Sequence, residues 1–337
     1  MRLLITLTLG FLLSASIFGQ DDKVKELVSQ GTDLHDQGKY DEAITKYKAA
    51  LDIDKNSTLA NYELSYTYMT IEKYDDAIKY SKKVIEQNTD HLHPAYVVLG
   101  SSLDMKGKSK DAIKAYEEGL TKFPNSNMLN YNLALTSFNL HDYDKAEQAA
   151  IKAVLAKPTH GSSHIILGSI MKAKGERVKA LLSFYYFLML EPNSKRSSNI
   201  LINLKSMLNE GVEQKSGNSI NVNIPSSASN DSIFGAAEMM VSLQGASRYT
   251  DENKGKTEDE FFVETNRSLF SILGELKKNN SNIWWDLYVT KFYDLIQTNN
   301  YEAFSYYISQ SSNSQDINNW INKNQDKFQQ LKDWIKK

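Results

Sequence analysis

A short motif recurs five times in this chain at nearly constant spacing. Each copy follows a loop and ends in an alanine, and these alanines are Ala43, Ala77, Ala112, Ala146 and Ala180. The intervals between them are 34, 35, 34 and 34 residues. A period of this length indicates stacked copies of one supersecondary unit, because such a unit buries its apolar face only against its neighbours.

Other positions repeat in register with these alanines. Twelve residues before each alanine stands a small residue: Gly31, Ser65, Gly100, Ala134 and Gly168. Four residues after it, three copies carry an aromatic ring: Tyr47, Tyr116 and Phe184. A proline closes three copies: Pro124, Pro158 and Pro192. Two antiparallel helices approach closely only where a side chain is nearly absent, so the pattern predicts helical hairpins.

This pattern resembles the tetratricopeptide-repeat (TPR) family, whose unit is 34 residues long. The departures are Ser81 and Ala150 at the aromatic position and Lys55 and Thr89 at the proline position. The resemblance implies an all-α fold, a TPR superhelical solenoid of helix-turn-helix repeats followed by a linker and a C-terminal α-helical region. We expect repeats at 24–57, 58–92, 93–126, 127–160 and 161–194, with a capping helix over 195–208.

The resemblance also implies a binding surface, since the first helices of TPR-like solenoids line a concave groove that holds an extended peptide or a partner helix. The expected groove residues are Leu59, Tyr62, Tyr66, Met69, Val97, Met105, Met128, Tyr131, Leu135, Phe138, Ile165 and Lys172. They are mainly apolar and aromatic, as interface centres are. Some members of the family bind a C-terminal carboxylate with a set of Lys, Asn and Arg residues. In this chain only Lys172 and Asn139 match that set. Two occupants are open at this stage, a partner protein or the chain's own C-terminal helices.

The N-terminus has the layout of a secretory signal peptide. Met1-Arg2 precedes an apolar run over 3–13, and small and polar residues lead to Gly19. The run is shorter than the roughly 20 residues that span a bilayer. We expect cleavage after residue 19, export without a later membrane span, and a periplasmic location, with full secretion as the alternative.

The chain after the repeats changes character twice. Residues 209–231 are rich in Ser, Asn and Gly, and within them Ile220, Val222 and Ile224 alternate with polar residues. This segment is either a disordered linker or a strand lying along the repeats or awaiting a partner. The apolar spacing over 232–337 predicts a helical region. Helices are expected over 232–246, 282–298 and 301–308, another begins after a Thr257–Glu260 capping box, and one last helix begins at Ser314.

The composition excludes several kinds of chemistry. The chain has no cysteine, hence no disulfide, thiolate metal site or Cys nucleophile, and its net charge of −2 gives no field that favours nucleic acid. Histidine pairs at 91/93 and 160/164 have no third ligand at a metal-site spacing. No phosphate-binding loop or nucleophile elbow occurs.

These observations predict a non-enzymatic scaffold of the bacterial cell envelope, without metal or cofactor, that binds a protein or peptide partner in the groove. Two alternatives from other classes stay open. One is a glycan-binding or peptidoglycan-binding module that uses the C-terminal aromatics and requires exposed Trp284 and Trp285. The other is a hydrolase in the C-terminal region, which requires a cleft with paired carboxylates.

Overall fold

A computed structural model describes residues 20–215, 219–223 and 234–337, which are mostly helical. The predicted signal peptide at 1–19 lies outside the described residues, as do 216–218 and 224–233, which include Ile224. The chain divides into two compact units after His141. This division falls inside the fourth predicted repeat, and the units are described separately below.

The first unit consists of seven helices in the part of the chain that is described. Their bounds are α1 20–36, α2 Tyr40–Ile53, α3 Thr58–Thr70, α4 Tyr74–Gln87, α5 Leu92–Met105, α6 Ser109–Lys122 and α7 Asn127–Asn139. The helices α1/α2, α3/α4 and α5/α6 are the three hairpins of the first three predicted repeats, and α7 is the first helix of the fourth.

A glycine facing an aromatic ring sets the distance between the helices of two of these hairpins. A Cβ added to Gly31 in α1 would lie 2.5 Å from the Tyr47 ring of α2, and one added to Gly100 in α5 would come still closer to Tyr116 of α6. Both tyrosines are almost completely buried. The ring therefore fills the space that the missing side chain leaves, and the two helices pack in direct contact.

The turn inside each hairpin has the same geometry. The second residue after the first helix adopts a positive φ: Gly38 (+75°), Glu72 (+61°) and Gly107 (+81°). At the Gly107 turn, Gly107 N–H donates to the Asp104 carbonyl at 2.8 Å and Lys108 N–H donates to the Leu103 carbonyl at 2.8 Å. These paired bonds satisfy the last carbonyls of the first helix and reverse the chain within three residues.

The second unit contains the remaining elements. Their bounds are α8 Tyr143–Ala156, α9 Gly161–Ala173, α10 Arg177–Leu190, α11 Lys195–Leu208, β1 Val212–Gln214, β2 Ile220–Val222, α12 Phe234–Ser247, α13 Glu258–Lys277, a π-helical turn Trp284–Val289, α14 Thr290–Ile296, α15 Tyr301–Ile308, a 3₁₀ turn Gln310–Ser312, α16 Gln315–Lys323 and α17 Gln325–Ile335.

Helix α10 is the centre of the second unit. Every residue from Arg177 to Met189 except Lys179 is buried, because α9, α11, α12, the π-helical turn and α15 all pack on this one helix. Its aromatic residues contact the C-terminal helices: the Tyr185 ring meets Phe270 edge-on at 5.0 Å and Phe292 at 5.9 Å between centroids. A helix that is apolar on all sides is expected at the centre of a core, and α10 has that sequence.

A buried ion pair attaches α12 to the start of α10. Arg177 Nε donates to Glu238 Oε2 at 2.9 Å, and Val178 N–H donates to Glu238 Oε1 at 2.6 Å. Arg177 also donates to the Glu238 carbonyl at 2.7 Å. Burial raises the pKa of the Glu238 carboxyl, while the bonds from Val178 and Arg177 act in the opposite direction. Removing either charge would leave the other buried and unpaired, so this pair fixes where α12 docks.

The buried histidine His164 of α9 makes a second polar link. Its Nε2 donates to the Pro158 carbonyl at 2.7 Å, so Nδ1 is the acceptor for the Tyr288 hydroxyl at 2.8 Å. The ring also stacks on Tyr186 at 4.4 Å. In the second and fourth repeats the corresponding residues are asparagines, and Asn130 donates to the Pro124 carbonyl in the same way. Histidine keeps this repeat bond and offers a second nitrogen to the C-terminal region.

Two of the sequence expectations for the C-terminal half need correction. The strand Ile220–Val222 does not stand alone, since it pairs antiparallel with Val212–Gln214 to form a small hairpin. The helix expected over 282–298 is present from 283 to 296, and its first part, Trp284–Val289, is π-helical. The single last helix is wrong, because Asn324 leaves the helical conformation (ψ 40°) and separates α16 from α17. The Thr257–Glu260 capping box is present as predicted.

Replacing Gly100 by alanine tests the glycine–ring contact. The added methyl group overlaps Tyr116, which has no room to move, so the free energy of unfolding falls by about 1–3 kcal/mol. Gly255→Ala is the control because its Cβ meets nothing within 4 Å, and its unfolding free energy changes by less than about 0.5 kcal/mol. Urea denaturation measures both, and equal effects of the two variants would contradict the contact.

His164→Asn tests the buried histidine through pH. Burial lowers the pKa of His164 from 6.5 to about 4, so the folded chain holds the neutral ring while the unfolded chain takes up a proton below pH 6.5. Its contribution to stability is therefore complete above pH 6.5 and declines as pH falls towards 4, by up to about 1.4 kcal/mol per pH unit. Denaturation of wild type and variant at several pH values measures this.

The expected result is that the wild type loses stability relative to His164→Asn as the pH falls from 6.5 to 4. His141→Asn, which removes an exposed histidine in a turn, provides the control and follows the wild-type curve. Parallel curves for wild type and His164→Asn would contradict the buried neutral histidine.

Candidate partner-binding groove

Ten of the twelve predicted groove residues lie on α3, α5 and α7 of the first unit, and all ten are accessible to solvent. Three are exposed: Tyr66 at 39%, Met128 at 43% and Met105 at 66%. The other seven are half-buried: Leu59, Tyr62, Met69, Val97, Tyr131, Leu135 and Phe138. The sequence therefore places large apolar and aromatic side chains on the accessible face of the first helices.

Helical spacing separates this face from the core. In α3, Tyr62 and Tyr66 are one turn apart on the accessible side, whereas Ala60, Leu64 and Tyr68 of the same helix are buried. The buried set belongs to the unit's core, and Tyr62 packs against the edge of that core while staying partly accessible. A helix with apolar residues on both faces is expected where one face contacts a partner.

The rings on this face form a continuous ladder. His35 stacks on Tyr66 at 5.2 Å, Tyr66 lies 6.4 Å from Tyr62, and Tyr62 stacks on His91 at 5.4 Å between centroids. Tyr40 meets His35 edge-on at 5.1 Å. We call these five residues the aromatic ladder. His35 belongs to the first repeat, Tyr62 to the second, and His91 comes directly before α5, so the ladder crosses from one hairpin to the next.

The first helices from α3 onwards carry few charges, whereas the second helices carry both lysines and acids. Helices α3, α5 and α7 contain no Lys or Arg, and their only charged residues are Glu63 and Asp104. The second helices carry eight lysines: Lys46, Lys48, Lys79, Lys82, Lys83, Lys110, Lys114 and Lys122. The groove face is thus acidic and aromatic. It lacks the cations that would bind a C-terminal carboxylate.

The two carboxylates differ in their surroundings. Asp104 accepts hydrogen bonds from Ser109 Oγ at 2.6 Å and from Thr136 Oγ1 at 2.9 Å, which ties α5 to the helices after it. Glu63 is half-buried, and burial raises its pKa, with a further increase from the nearby Asp36 carboxylate. Burial also raises the pKa of Tyr62 to about 12, so this hydroxyl remains protonated.

The two remaining predicted residues, Ile165 and Lys172, lie on α9 in the second unit. Ile165 is half-buried and Lys172 is exposed. Lys172 Nζ donates to Asn203 Oδ1 of α11 at 3.1 Å, so this amine already has a partner within its own unit.

The histidine pairs are held by local contacts. His93 Nε2 lies 2.5 Å from Ser126 Oγ, His160 Nδ1 lies 2.8 Å from Ser163 Oγ, and both nitrogens of His164 have partners. Across 20–215, 219–223 and 234–337, no group of three His, Cys, Asp or Glu residues is placed to hold a metal ion.

The two tryptophans required by the glycan alternative are not on the surface. Trp284 is 4% exposed and stacks on Tyr288 at 5.3 Å, while Trp285 is 3% exposed and stacks on Phe234 at 4.5 Å. Sugar rings bind to open aromatic faces, and these faces are covered by the core of the second unit. The glycan-binding alternative therefore lacks the exposed tryptophans that it requires.

Comparisons with known proteins agree with this architecture. Family profiles described as "TPR repeat" match residues 31–71, and profiles described as "Tetratricopeptide repeat" match 59–91 and 97–161. The chain is a tetratricopeptide-repeat protein. Its fold is the all-α TPR solenoid followed by a helical C-terminal region.

Individual relatives of this TPR protein are distant. The DnaJ homolog subfamily C member 7 homolog of Schizosaccharomyces pombe is 24% identical over 198 residues, which is 53% of this chain and 41% of that protein. BBSome complex member BBS4 of Bos taurus is 24% identical over 147 residues, 44% of this chain and 28% of that protein. The chain thus spans less than half the length of these curated relatives.

Among solved structures, Pseudomonas aeruginosa PilF has a TM-score of 0.50 and 19% identity, covering 56% of this chain and 85% of that one. MamA is 30% identical with a TM-score of 0.44, covering 48% of this chain and 94% of that one. Within the described residues of this TPR protein, no helix has both the length and the apolar character needed to cross a membrane.

Sequence reasoning overlooked part of the groove face. His35, Tyr40 and His91 belong to the aromatic ladder but were not among the predicted groove residues. His35 lies in α1 one turn after Gly31, and α1 follows the repeat register. This position could therefore have identified His35 as a groove residue from the sequence. His91 has no such signal, because it lies before α5 in a left-handed conformation (φ +63°) that only the structure reveals.

Proposed function

We propose that this protein is a non-enzymatic scaffold of the bacterial cell envelope whose first unit binds a peptide or helix of a partner protein. The observation that supports the proposal is the accessible apolar and aromatic face of α3, α5 and α7, with Tyr66, Met105 and Met128 exposed. TPR proteins in general act as interaction scaffolds. The envelope location and the binding of a peptide or helix are what we propose for this chain.

The groove face has the composition of an interface centre. Tyrosine, methionine and phenylalanine are enriched at such centres because each buries a large apolar area on binding. Lysine is depleted there, and the first helices of the unit contain none from α3 onwards. A partner helix or strand with apolar side chains would cover Tyr62, Tyr66 and Phe138.

The C-terminal aromatics have a structural role in this proposal. They pack on α10 and on each other, with Phe270 stacked on Phe292 at 4.7 Å and Tyr306 stacked on Trp320 at 4.1 Å. Such contacts form a core, which leaves the accessible rings of the first unit as the proposed recognition surface.

The envelope location is proposed from the N-terminal sequence. Residues 3–13 are apolar, they follow Arg2, and they end in small and polar residues, which is the arrangement that export machinery recognises. A partner would accordingly be another envelope or exported protein.

Photo-cross-linking in intact source cells tests both parts of the proposal. A p-benzoylphenylalanine residue replaces Met128 or Tyr66 on the groove face, or Lys82 or Glu86 on the exposed side of α4 as matched controls. We expect one discrete protein adduct from the groove positions, recovered with the periplasmic fraction. Combining the Met128 probe with Tyr62→Ala and Phe138→Ala should reduce its yield at least tenfold, because each ring is an expected anchor.

Adducts of equal yield and size from the α4 positions, or an unchanged yield in the Tyr62→Ala/Phe138→Ala chain, would contradict the groove assignment. Recovery of the groove adduct with the cytosolic fraction would contradict the location alone.

A further inference from the structure

Methionine supplies all the sulfur of this chain. The sequence has nine methionines and no cysteine, and Met1 belongs to the predicted signal peptide. Three of the others lie in helices of the second unit and are at most 2% exposed: Met171, Met189 and Met207. Four are exposed, in two pairs: Met105 with Met128 on the groove face, and Met239 with Met240 on α12. The exposed sulfur is thus concentrated at two places.

The first pair lies where the partner is expected to bind. Met105 ends α5 and is 66% exposed, and Met128 lies in the first turn of α7 and is 43% exposed. Within α3, α5 and α7, the other exposed large apolar residue is Tyr66. Two of the three exposed apolar side chains on these helices are therefore thioethers, which are flexible groups common at binding surfaces.

A peroxide can convert an accessible thioether by transferring one oxygen atom. The sulfur attacks a peroxide oxygen, the O–O bond breaks and an S–O bond forms. The sulfur is oxidised by two electrons, and hydrogen peroxide is reduced to water. The product, methionine sulfoxide, is polar, and methionine sulfoxide reductases convert it back to the thioether. The modification is thus reversible.

A sulfoxide on the groove face would weaken the binding of an apolar partner. Burying its oxygen without a hydrogen bond is unfavourable, and α3, α5 and α7 contain no Lys or Arg that could donate one. A bound partner would in turn cover the two sulfur atoms. Oxidation therefore acts on the free protein and opposes formation of the complex.

We propose that Met105 and Met128 are reversible oxidation sites through which peroxide reduces partner binding in the groove. This inference rests on the proposed function and adds the regulation of the same site. Because the chain has no cysteine, a thiol cannot react in their place. Met239 and Met240 are similarly exposed but belong to the second unit, so they provide a matched control.

Mass spectrometry of peptides tests the accessibility of the sulfur atoms without any partner. The full chain is treated with dilute hydrogen peroxide, and the sulfoxide at each methionine is followed over time. We expect Met105 and Met128 to react about tenfold faster than Met171, Met189 and Met207, because only the first two are exposed. Equal rates for the exposed and the buried methionines would overturn the inference.

Photo-cross-linking from Tyr66 in intact source cells tests the effect on binding. Met105→Gln with Met128→Gln imitates the polarity of the sulfoxides, and we expect the yield of the groove adduct to fall about fivefold. Met239→Gln with Met240→Gln is the control and should leave the yield unchanged. A circular dichroism spectrum of each purified variant confirms that the helices are intact.

Met105→Leu with Met128→Leu keeps the face apolar but cannot be oxidised. Treating the cells with hydrogen peroxide should therefore lower the adduct yield about fivefold with the native methionines and leave it unchanged with the leucines. This comparison also separates oxidation of the groove from oxidation of the partner, which would affect both chains.

An unchanged yield in the glutamine pair on the groove face, or an equal loss with peroxide in the native and leucine chains, would overturn the inference. Either result leaves the proposed function standing, because the adduct still forms in untreated cells and still depends on Tyr62 and Phe138. Absence of any groove adduct in untreated cells would instead overturn the proposed function and this inference together.

Discussion

The contact between a glycine and the aromatic ring sixteen residues later is the constraint on which the repeat structure depends. At Gly31, Gly100 and Gly168 the missing Cβ lets Tyr47, Tyr116 and Phe184 pack against the first helix of their hairpins. The second repeat has serines at the same two positions, Ser65 and Ser81, and both are fully buried. A small residue facing a ring, or two small residues facing each other, thus keeps the helices of a hairpin close. Since both positions recur with the 34-residue period, the same short distance between the two helices is repeated in successive hairpins.

The repeats could be predicted because they depend on local contacts within one period, and the groove positions follow from the same register. Long-range pairing could not be predicted in this way. Arg177 and Glu238 are 61 residues apart, His164 and Tyr288 are 124 apart, and no periodicity relates them. The partner strand Val212–Gln214 is too short to show alternation, and the break at Asn324 interrupts an apolar pattern that continues through it.

The second unit shows how one repeat can be adapted to carry additional structure. Its helix α10 is apolar on every side, whereas α4 and α6 of the first unit are amphipathic and present lysines to solvent. His164 replaces the asparagine of other repeats and gains a bond to Tyr288, and Arg177 at the start of α10 gains Glu238. The same helix-turn-helix unit therefore presents an acidic, aromatic face in the first unit and a docking core in the second.

The central claim is that the face carrying Tyr62, Tyr66 and Phe138 is open for a partner while the tyrosines between the helices of each hairpin are closed. Nitration of the full chain with tetranitromethane, followed by mass spectrometry of its peptides, measures this for each tyrosine. The account predicts fast nitration of Tyr66, which is 39% exposed, and protection of Tyr47, Tyr96 and Tyr116, which are at most 1% exposed. Protection of Tyr66 equal to that of Tyr47 would contradict it, because the face would then already be covered.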